Sequence, residues 1–118
     1  MRRTSALGRY GEDVATRYLE GLGLVIVERN WRCSDGEIDI VARDGSTLVV
    51  VEVKTRSSLA FGHPAEAITP RKMRRLRHLA FRWLTDHEVH APSVRLDAIS
   101  IIQGVSGAPR IEHMPGVE

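Results

Sequence analysis

Two charged side chains interrupt a run of valines in the segment VVVEVKTR. Glu52 and Lys54 are two positions apart, and side chains two apart on a β-strand point to the same face. The preceding segment GEIDI repeats the pattern with Glu37 and Asp39. Carboxylates bind hard divalent cations such as Mg²⁺, and an ammonium group can neutralise phosphate or activate water. The pattern is therefore typical of metal-assisted phosphodiester hydrolysis.

The four charges meet only if the two segments form a hairpin of suitable register. Asp44-Gly45 between them is a favoured turn pair. A two-residue loop there pairs residues whose numbers sum to 89, whereas a four-residue loop at 44–47 gives a sum of 91 and sets Asp39 opposite Glu52. We favour 91, because directly opposed Cβ atoms lie about 4.5–5.5 Å apart, a span that one metal ion can bridge. An odd loop would place the pair Glu37 and Asp39 on the opposite face from the pair Glu52 and Lys54.

The apolar residues of the hairpin also favour an even loop. They would then form one continuous hydrophobic face of Ile38, Ile40, Val49, Val51 and Val53. Adjacent buried carboxylates repel each other, and a divalent cation would offset that repulsion. The alternative is a half-exposed sheet face on which Lys54 forms ordinary salt bridges with Glu37 or Glu52.

The remaining chain supplies the elements that must position this hairpin. Periodicity predicts, in chain order, a helix over 8–23, a strand over 24–31, the hairpin over 36–56, a helix over 71–88 and a strand over 93–102. Thr69 is the expected N-cap of the second helix, with Pro70 in its first turn. The order αβββαβ predicts an α/β fold with helices packed on the sheet. We expect residues 1–7 and 105–118 to be flexible tails, the latter with at most a short edge strand.

Composition indicates one domain over residues 1–118. Hydrophobic residues make up 42% of the chain and charged residues 27%, as in ordinary globular proteins. No segment is long and apolar enough for a membrane helix, and the basic N-terminus lacks the apolar core of a secretory signal. The single cysteine, Cys33, excludes an internal disulfide and a thiolate metal site, so we expect a cytoplasmic protein.

The second helix has a basic face. Its apolar stripe consists of Met73, Leu76, Ala80, Trp83 and Leu84. The candidate nucleic-acid-binding residues lie away from that stripe or beside it: Arg71, Lys72, Arg74, Arg75, His78 and Arg82. No acidic residue of the helix precedes Asp86, so pairs within the helix do not balance these charges. A solvated face is the plain alternative, but uncompensated charge favours contact with a phosphate backbone, read by shape rather than by base sequence. Arg2, Arg3 and Arg9 would extend this surface.

Several segments resemble a known family. Asp39, twelve intervening residues and then Glu52-Val53-Lys54 resemble the PD-(D/E)XK nuclease signature, although Ile38 stands where the proline would be. The segments GRYGEDVATRYLEGLG, GEIDIVARDGSTLVVVEVKTR and FGHPAEAITPRKMRRL resemble the YraN family of uncharacterised bacterial proteins. That family is similar to the archaeal Holliday junction resolvases. The resemblance covers roughly residues 8–102 and implies a restriction-endonuclease-like fold with a mixed sheet.

The resemblance also implies roles for individual residues. Asp39 and Glu52 correspond to metal-binding carboxylates for Mg²⁺ or Mn²⁺, and Lys54 corresponds to the catalytic lysine. Glu12, in the first helix, corresponds to a further metal-binding and catalytic glutamate. From the residues alone, Glu12 is an ordinary acidic side chain near a helix start, where the helix dipole favours it. Glu37 is equally consistent with a supporting group beside the metal and with a surface residue.

The expected function is a metal-dependent endonuclease acting on structured or branched DNA. A homodimer is expected by analogy, because resolvases make paired cuts in a four-way junction. Two other functions are consistent with the same residues: a non-catalytic DNA-binding module, and an adaptor whose basic helix meets an acidic protein. We expect Asp97 to pair with an arginine rather than bind metal, and His63 to be an ordinary loop residue.

Overall fold

The computed structural model describes residues 5–57, 69–104 and 106–117. Its elements are α1 (Ala6–Gly21), β1 (Val25–Cys33), β2 (Gly36–Asp44), β3 (Thr47–Arg56), α2 (Pro70–Asp86), β4 (Ser93–Ile102) and β5 (Arg110–Met114). The predicted αβββαβ order is confirmed, and β5 follows it. Arg2, Arg3 and His63 lie outside the described residues.

The five strands form one mixed sheet in the order β1-β2-β3-β4-β5. β3 and β4 are parallel, and the other neighbouring strands are antiparallel. Parallel neighbours need a crossover connection, and α2 lies in the chain between β3 and β4. This α/β architecture is consistent with the predicted restriction-endonuclease-like fold.

The helix starts are capped by side chains. The Thr69 hydroxyl accepts a hydrogen bond from the Lys72 backbone N–H at 3.1 Å, and Pro70 begins α2, as the sequence predicts. At α1, the Ser5 hydroxyl accepts from the Gly8 N–H at 3.0 Å. These contacts fix where each helix begins relative to the sheet.

The helices cover opposite faces of the sheet. The α1 face consists of Val14, Ala15, Leu19, Leu24, Ile40, Ala42, Val49, Val51, Ile99 and Ile101. The α2 face consists of Ile38, Val41, Leu48, Val50, Met73, Leu76, Leu79, Ala80, Trp83 and Leu96. The alternation Val49, Val50, Val51 between the two faces follows from the two-residue period of a strand. It explains why this part of β3 is valine at every position.

The β2–β3 hairpin has the favoured register. Ile40 pairs with Val51 and Asp44 pairs with Thr47, so paired residue numbers sum to 91. The ladder runs one pair further than predicted, which leaves a two-residue turn at Gly45-Ser46. Gly45 has a φ of 60°, the left-handed region that suits glycine at the first central position of a tight hairpin turn.

The expected position of Ile38 is corrected. Ile38 packs with the α2 face rather than with Ile40. It lies beyond the last β2–β3 pair, where β2 remains paired with β1 alone. The short C-terminal edge strand that the sequence allowed is present as β5, which pairs with β4, and α1 begins at Ala6.

Asp97 of β4 pairs with an arginine, as predicted. Its carboxylate is fully buried and accepts two hydrogen bonds from Arg95, at 2.9 and 3.0 Å. His113 donates from Nε2 at 2.7 Å, and the Gly116 N–H donates at 3.1 Å. Tyr18 of α1 lies 3.1 Å from the other ring nitrogen of His113, so this network joins α1, β4 and β5. In the described part of the chain, neither helix has the length and apolarity needed to cross a membrane.

Candidate functional site

The candidate site begins where β2 and β3 separate. The last backbone pair between them is Ile40–Val51, and by register Asp39 comes next, opposite Glu52. Instead of a further backbone pair, the Asp39 carboxylate accepts a hydrogen bond from the Val53 N–H at 2.8 Å. This hydrogen bond holds the side chain of Asp39, on β2, against the backbone of β3, the strand that carries Glu52.

A small pocket lies between this opening and α2. It has a volume of about 60 Å³ and is lined by Glu37, Asp39, Glu52, Lys72, Arg75, Leu76 and Leu79. Three carboxylates therefore form one wall, and two cations from α2 face them. The sequence predicted the acidic wall and the basic helix separately, but it did not predict that Lys72 and Arg75 would line the acidic pocket.

Among the described residues, Glu52 forms an ion pair with an arginine of α2. Arg75 lies 4.0 Å from the Glu52 carboxylate, measured between guanidinium NH2 and Oε1. That separation is longer than the 2.7–3.2 Å of a hydrogen bond, so the pair is held by electrostatic attraction alone. The Oε2 atom of Glu37 lies 3.9 Å from Nε of Arg32 on β1. The acidic wall is thus partly balanced by neighbouring arginines.

Two of the predicted catalytic residues do not line the pocket. Lys54 is exposed and lines a shallow depression with Leu7, Thr55, Arg56 and Ser57. Glu12 is 3% exposed and lies 3.9 Å from Arg29. It belongs to α1, which packs on the opposite face of the sheet from α2, and this packing separates it from the pocket.

The pocket is suited to a cation that keeps much of its water. Within residues 5–57, 69–104 and 106–117, no three acidic, histidine or cysteine side chains form a group that could hold one metal ion. Glu12, Asp39 and Glu52 are thus not assembled as one such group. Mg²⁺, however, commonly takes only one or two carboxylates and completes its shell with waters and phosphate oxygens. The pocket volume exceeds the roughly 10–15 Å³ that a single water requires.

Part of the basic face of α2 is engaged with the β1–β2 turn. Asp35 accepts hydrogen bonds from His78 at 2.9 Å and from Arg82 at 2.8 Å. These hydrogen bonds lower the pKa of Asp35, and the same contact raises the pKa of Arg82. Arg82 also pairs with Asp86 at 3.3 Å. We expected no acidic residue to balance the positive charge of this face. That expectation is wrong at His78 and Arg82, because Asp35, which lies in the β1–β2 turn and not in α2, contacts both side chains.

The first turns of α2 keep their positive charge exposed. Arg71 and Arg74 make no ion pair with any residue that the structure describes, and both are exposed. A wider depression of about 710 Å³ is lined by Thr69, Arg71, Lys72 and Arg75. Lys72 and Arg75 also line the acidic pocket, so the two cavities share these cations.

Comparison with known proteins identifies the family. The model of uncharacterised protein family UPF0102 matches residues 11–101. The chain belongs to the UPF0102 family. It is 62% identical over 117 residues to the UPF0102 protein of Beutenbergia cavernae, with 99% of each chain covered. It is 54% identical over 117 residues to the UPF0102 protein of Arthrobacter sp. (strain FB24), again with 99% of each chain covered. The UPF0102 protein of Streptomyces coelicolor is 53% identical over 119 residues, covering 99% of this chain and 92% of that protein.

Proposed function

We propose that this UPF0102 protein is a metal-dependent endonuclease that hydrolyses phosphodiester bonds in structured or branched DNA. One observation carries the proposal: Asp39 and Glu52, on strands that separate at this point, line the same pocket as Lys72 and Arg75. Carboxylates that can bind a cation thus lie beside cations that can bind phosphate. Both are required when a divalent ion and a nucleic-acid backbone share one site.

The residues that line the pocket have different roles in the proposed reaction. Asp39, oriented by the Val53 N–H, and Glu52 would hold Mg²⁺ or Mn²⁺. When bound, such an ion supplies Lewis-acid polarisation of a phosphate oxygen. Lys72 and Arg75 then bind the remaining phosphate oxygens, and Leu76 and Leu79 exclude water from one side of the pocket.

Lys54 and Glu12 have supporting roles in the proposal. Lys54 is exposed on β3, two residues from Glu52. In this position its ammonium group neutralises phosphate charge on the DNA strand that enters the site. Glu12 is buried on the inner side of α1 near Arg29, so it supports the face of the sheet opposite the pocket. Asp39 and Glu52 are therefore the metal-binding pair in this proposal, and Lys54 assists from outside the pocket.

The form of the DNA follows from two considerations. The exposed arginines at the start of α2 contact phosphates without reading bases, which favours recognition of shape. The resemblance to Holliday junction resolvases favours a branched substrate, and paired cuts in a junction favour a homodimer. The single cysteine and a DNA substrate favour action in the cytoplasm.

A second function is favoured by one specific observation. Lys54 and Glu12 lie outside the pocket, and the predicted three-carboxylate group is not assembled. The same basic surface would then serve a non-catalytic DNA-binding module. Binding and cleavage must therefore be measured separately.

The decisive experiment is a cleavage assay on a four-way junction, a flap, a nicked duplex and a linear duplex of matched sequence, with Mg²⁺ or Mn²⁺. Asp39→Asn, Glu52→Gln and Lys54→Ala should each slow cleavage about 100-fold or more, since loss of roughly 3 kcal/mol of transition-state stabilisation has that effect. DNA binding, measured by fluorescence anisotropy, should persist in all three variants.

The matched control is Asp44→Asn, which makes the same chemical change on β2 at the other end of the hairpin. It should cleave at the wild-type rate. DNA binding by the wild type without cleavage of any substrate would support the non-catalytic module. Absence of DNA binding would contradict both functions, and an adaptor that binds an acidic protein would be the remaining function.

A further inference from the structure

The cations of α2 differ in how firmly their acidic partners hold them. Arg82 donates hydrogen bonds to Asp35 and Asp86, and His78 also contacts Asp35. Arg75 is different, because its partner Glu52 lies 4.0 Å away and no hydrogen bond joins them. Its guanidinium therefore has a nearby opposite charge but no fixed geometry.

Arg75 is also the more exposed partner of its pair. Its side chain is 62% exposed, whereas that of Glu52 is 32% exposed. An ion pair of this kind contributes little to stability and is readily exchanged. Since Arg75 lines both the acidic pocket and the basic depression, it can reach either one by a side-chain rotation.

We propose that Arg75 is an exchangeable counter-cation: it balances Glu52 in the metal-free protein, and a divalent cation on Glu52 displaces it toward a nucleic-acid phosphate. The proposal rests on the metal site of the proposed function. Its physical basis is charge repulsion, because a divalent ion bound to Glu52 repels the neighbouring guanidinium of Arg75. A phosphate at the neighbouring depression then attracts the displaced guanidinium.

This exchange gives Arg75 opposite effects on the two ligands. In the absence of DNA it competes with the metal for Glu52, so removing it should strengthen metal binding. Once metal is bound, the guanidinium is released and contacts phosphate, so removing it should weaken DNA binding. A residue with only a structural role would not change the two affinities in opposite directions.

The first measurement is Mn²⁺ binding without DNA, followed by electron paramagnetic resonance of the unbound ion. Arg75→Gln should bind Mn²⁺ about three- to tenfold more tightly than the wild type, because one neighbouring positive charge is removed. Arg75→Lys keeps the charge and should remain close to the wild type. Arg74→Gln, one position away and outside the acidic pocket, is the matched control and should leave Mn²⁺ affinity unchanged.

The second measurement is the salt dependence of binding to a linear duplex, with EDTA or with Mn²⁺, and with duplex integrity checked on a denaturing gel. Each phosphate contact contributes about 0.9 to the slope of log affinity against log salt. Arg75→Gln should lower the slope by about that amount only in Mn²⁺. Arg74→Gln should lower it equally in both conditions.

Three results would overturn the exchange. They are unchanged or weaker Mn²⁺ binding by Arg75→Gln, a slope change that is the same with and without Mn²⁺, and no saturable Mn²⁺ binding by the wild type. The cleavage assay is independent of these measurements. If the exchange depends on metal but no substrate is cleaved, the proposed endonuclease activity is contradicted and the exchange is supported. If DNA is cleaved but Arg75→Gln leaves the Mn²⁺ affinity unchanged, the exchange is contradicted and the endonuclease activity is supported.

Discussion

Replacing Asp97 with asparagine should severely destabilise this protein. The carboxylate is completely buried and accepts hydrogen bonds from two nitrogens of Arg95, from His113 and from the Gly116 N–H. Asparagine retains one acceptor oxygen, and its amide nitrogen would face donors. At least one carboxylate oxygen therefore loses its hydrogen bonds, and Arg95 loses its charged partner inside the sheet.

The size of the loss follows from burial. Removing one partner of a buried ion pair costs about 3–5 kcal/mol, because the other charge is left uncompensated. Arg95 is 31% exposed and also lies 3.5 Å from Asp44, so water and a second carboxylate reduce that penalty. We therefore expect the lower value, about 3 kcal/mol. With an unfolding entropy of about 2.1 cal/mol/K per residue over 118 residues, this loss lowers Tm by about 12 °C.

The assay is urea and thermal unfolding at pH 7, followed by circular dichroism. The matched control is Asp44→Asn, since Asp44 pairs with the same arginine but is 52% exposed. That change should cost no more than about 0.5 kcal/mol. Equal stability of the two variants, or a loss below about 1 kcal/mol in Asp97→Asn, would refute the reasoning that burial makes this network important.

Two other predictions concern the same folded state. Burial alone raises the pKa of Asp97, but hydrogen bonds from Arg95, His113 and the Gly116 N–H outweigh it and hold the pKa below its ordinary value. The stabilisation by the ionised Asp97 is therefore present above about pH 3.9 and is lost as the pH falls through the lower pKa of the folded state. Urea unfolding should accordingly show the stabilities of the wild type and Asp97→Asn converging at acid pH. A stability difference that stays constant with pH would contradict this. Gly11→Ala should cost about 1–3 kcal/mol by urea unfolding, because a Cβ there would overlap Thr55 on β3. Thr55→Ala should recover part of that loss, and strictly additive effects of the two changes would rule out the overlap.

The sequence alone determined the local geometry of the hairpin. Alternating charges and valines specify which side chains share a face, and the turn residues limit the register, so the pairing that sets Asp39 beside Glu52 was predictable. The N-cap of α2 was predictable for the same reason, because Thr69 and Pro70 act on the adjacent backbone. Periodicity also identified the apolar stripe of α2 that packs on the sheet.

Only the tertiary structure decided which charges meet across elements. α1 and α2 pack on opposite faces, so Glu12 lies away from the pocket, while Lys72 and Arg75 line it. Asp35, from the β1–β2 turn, engages the C-terminal half of the basic face of α2. Periodicity fixes the direction of a side chain relative to its own element. The partner of that side chain depends on how elements far apart in the chain pack together, as the contacts of Asp35 with His78 and Arg82 show.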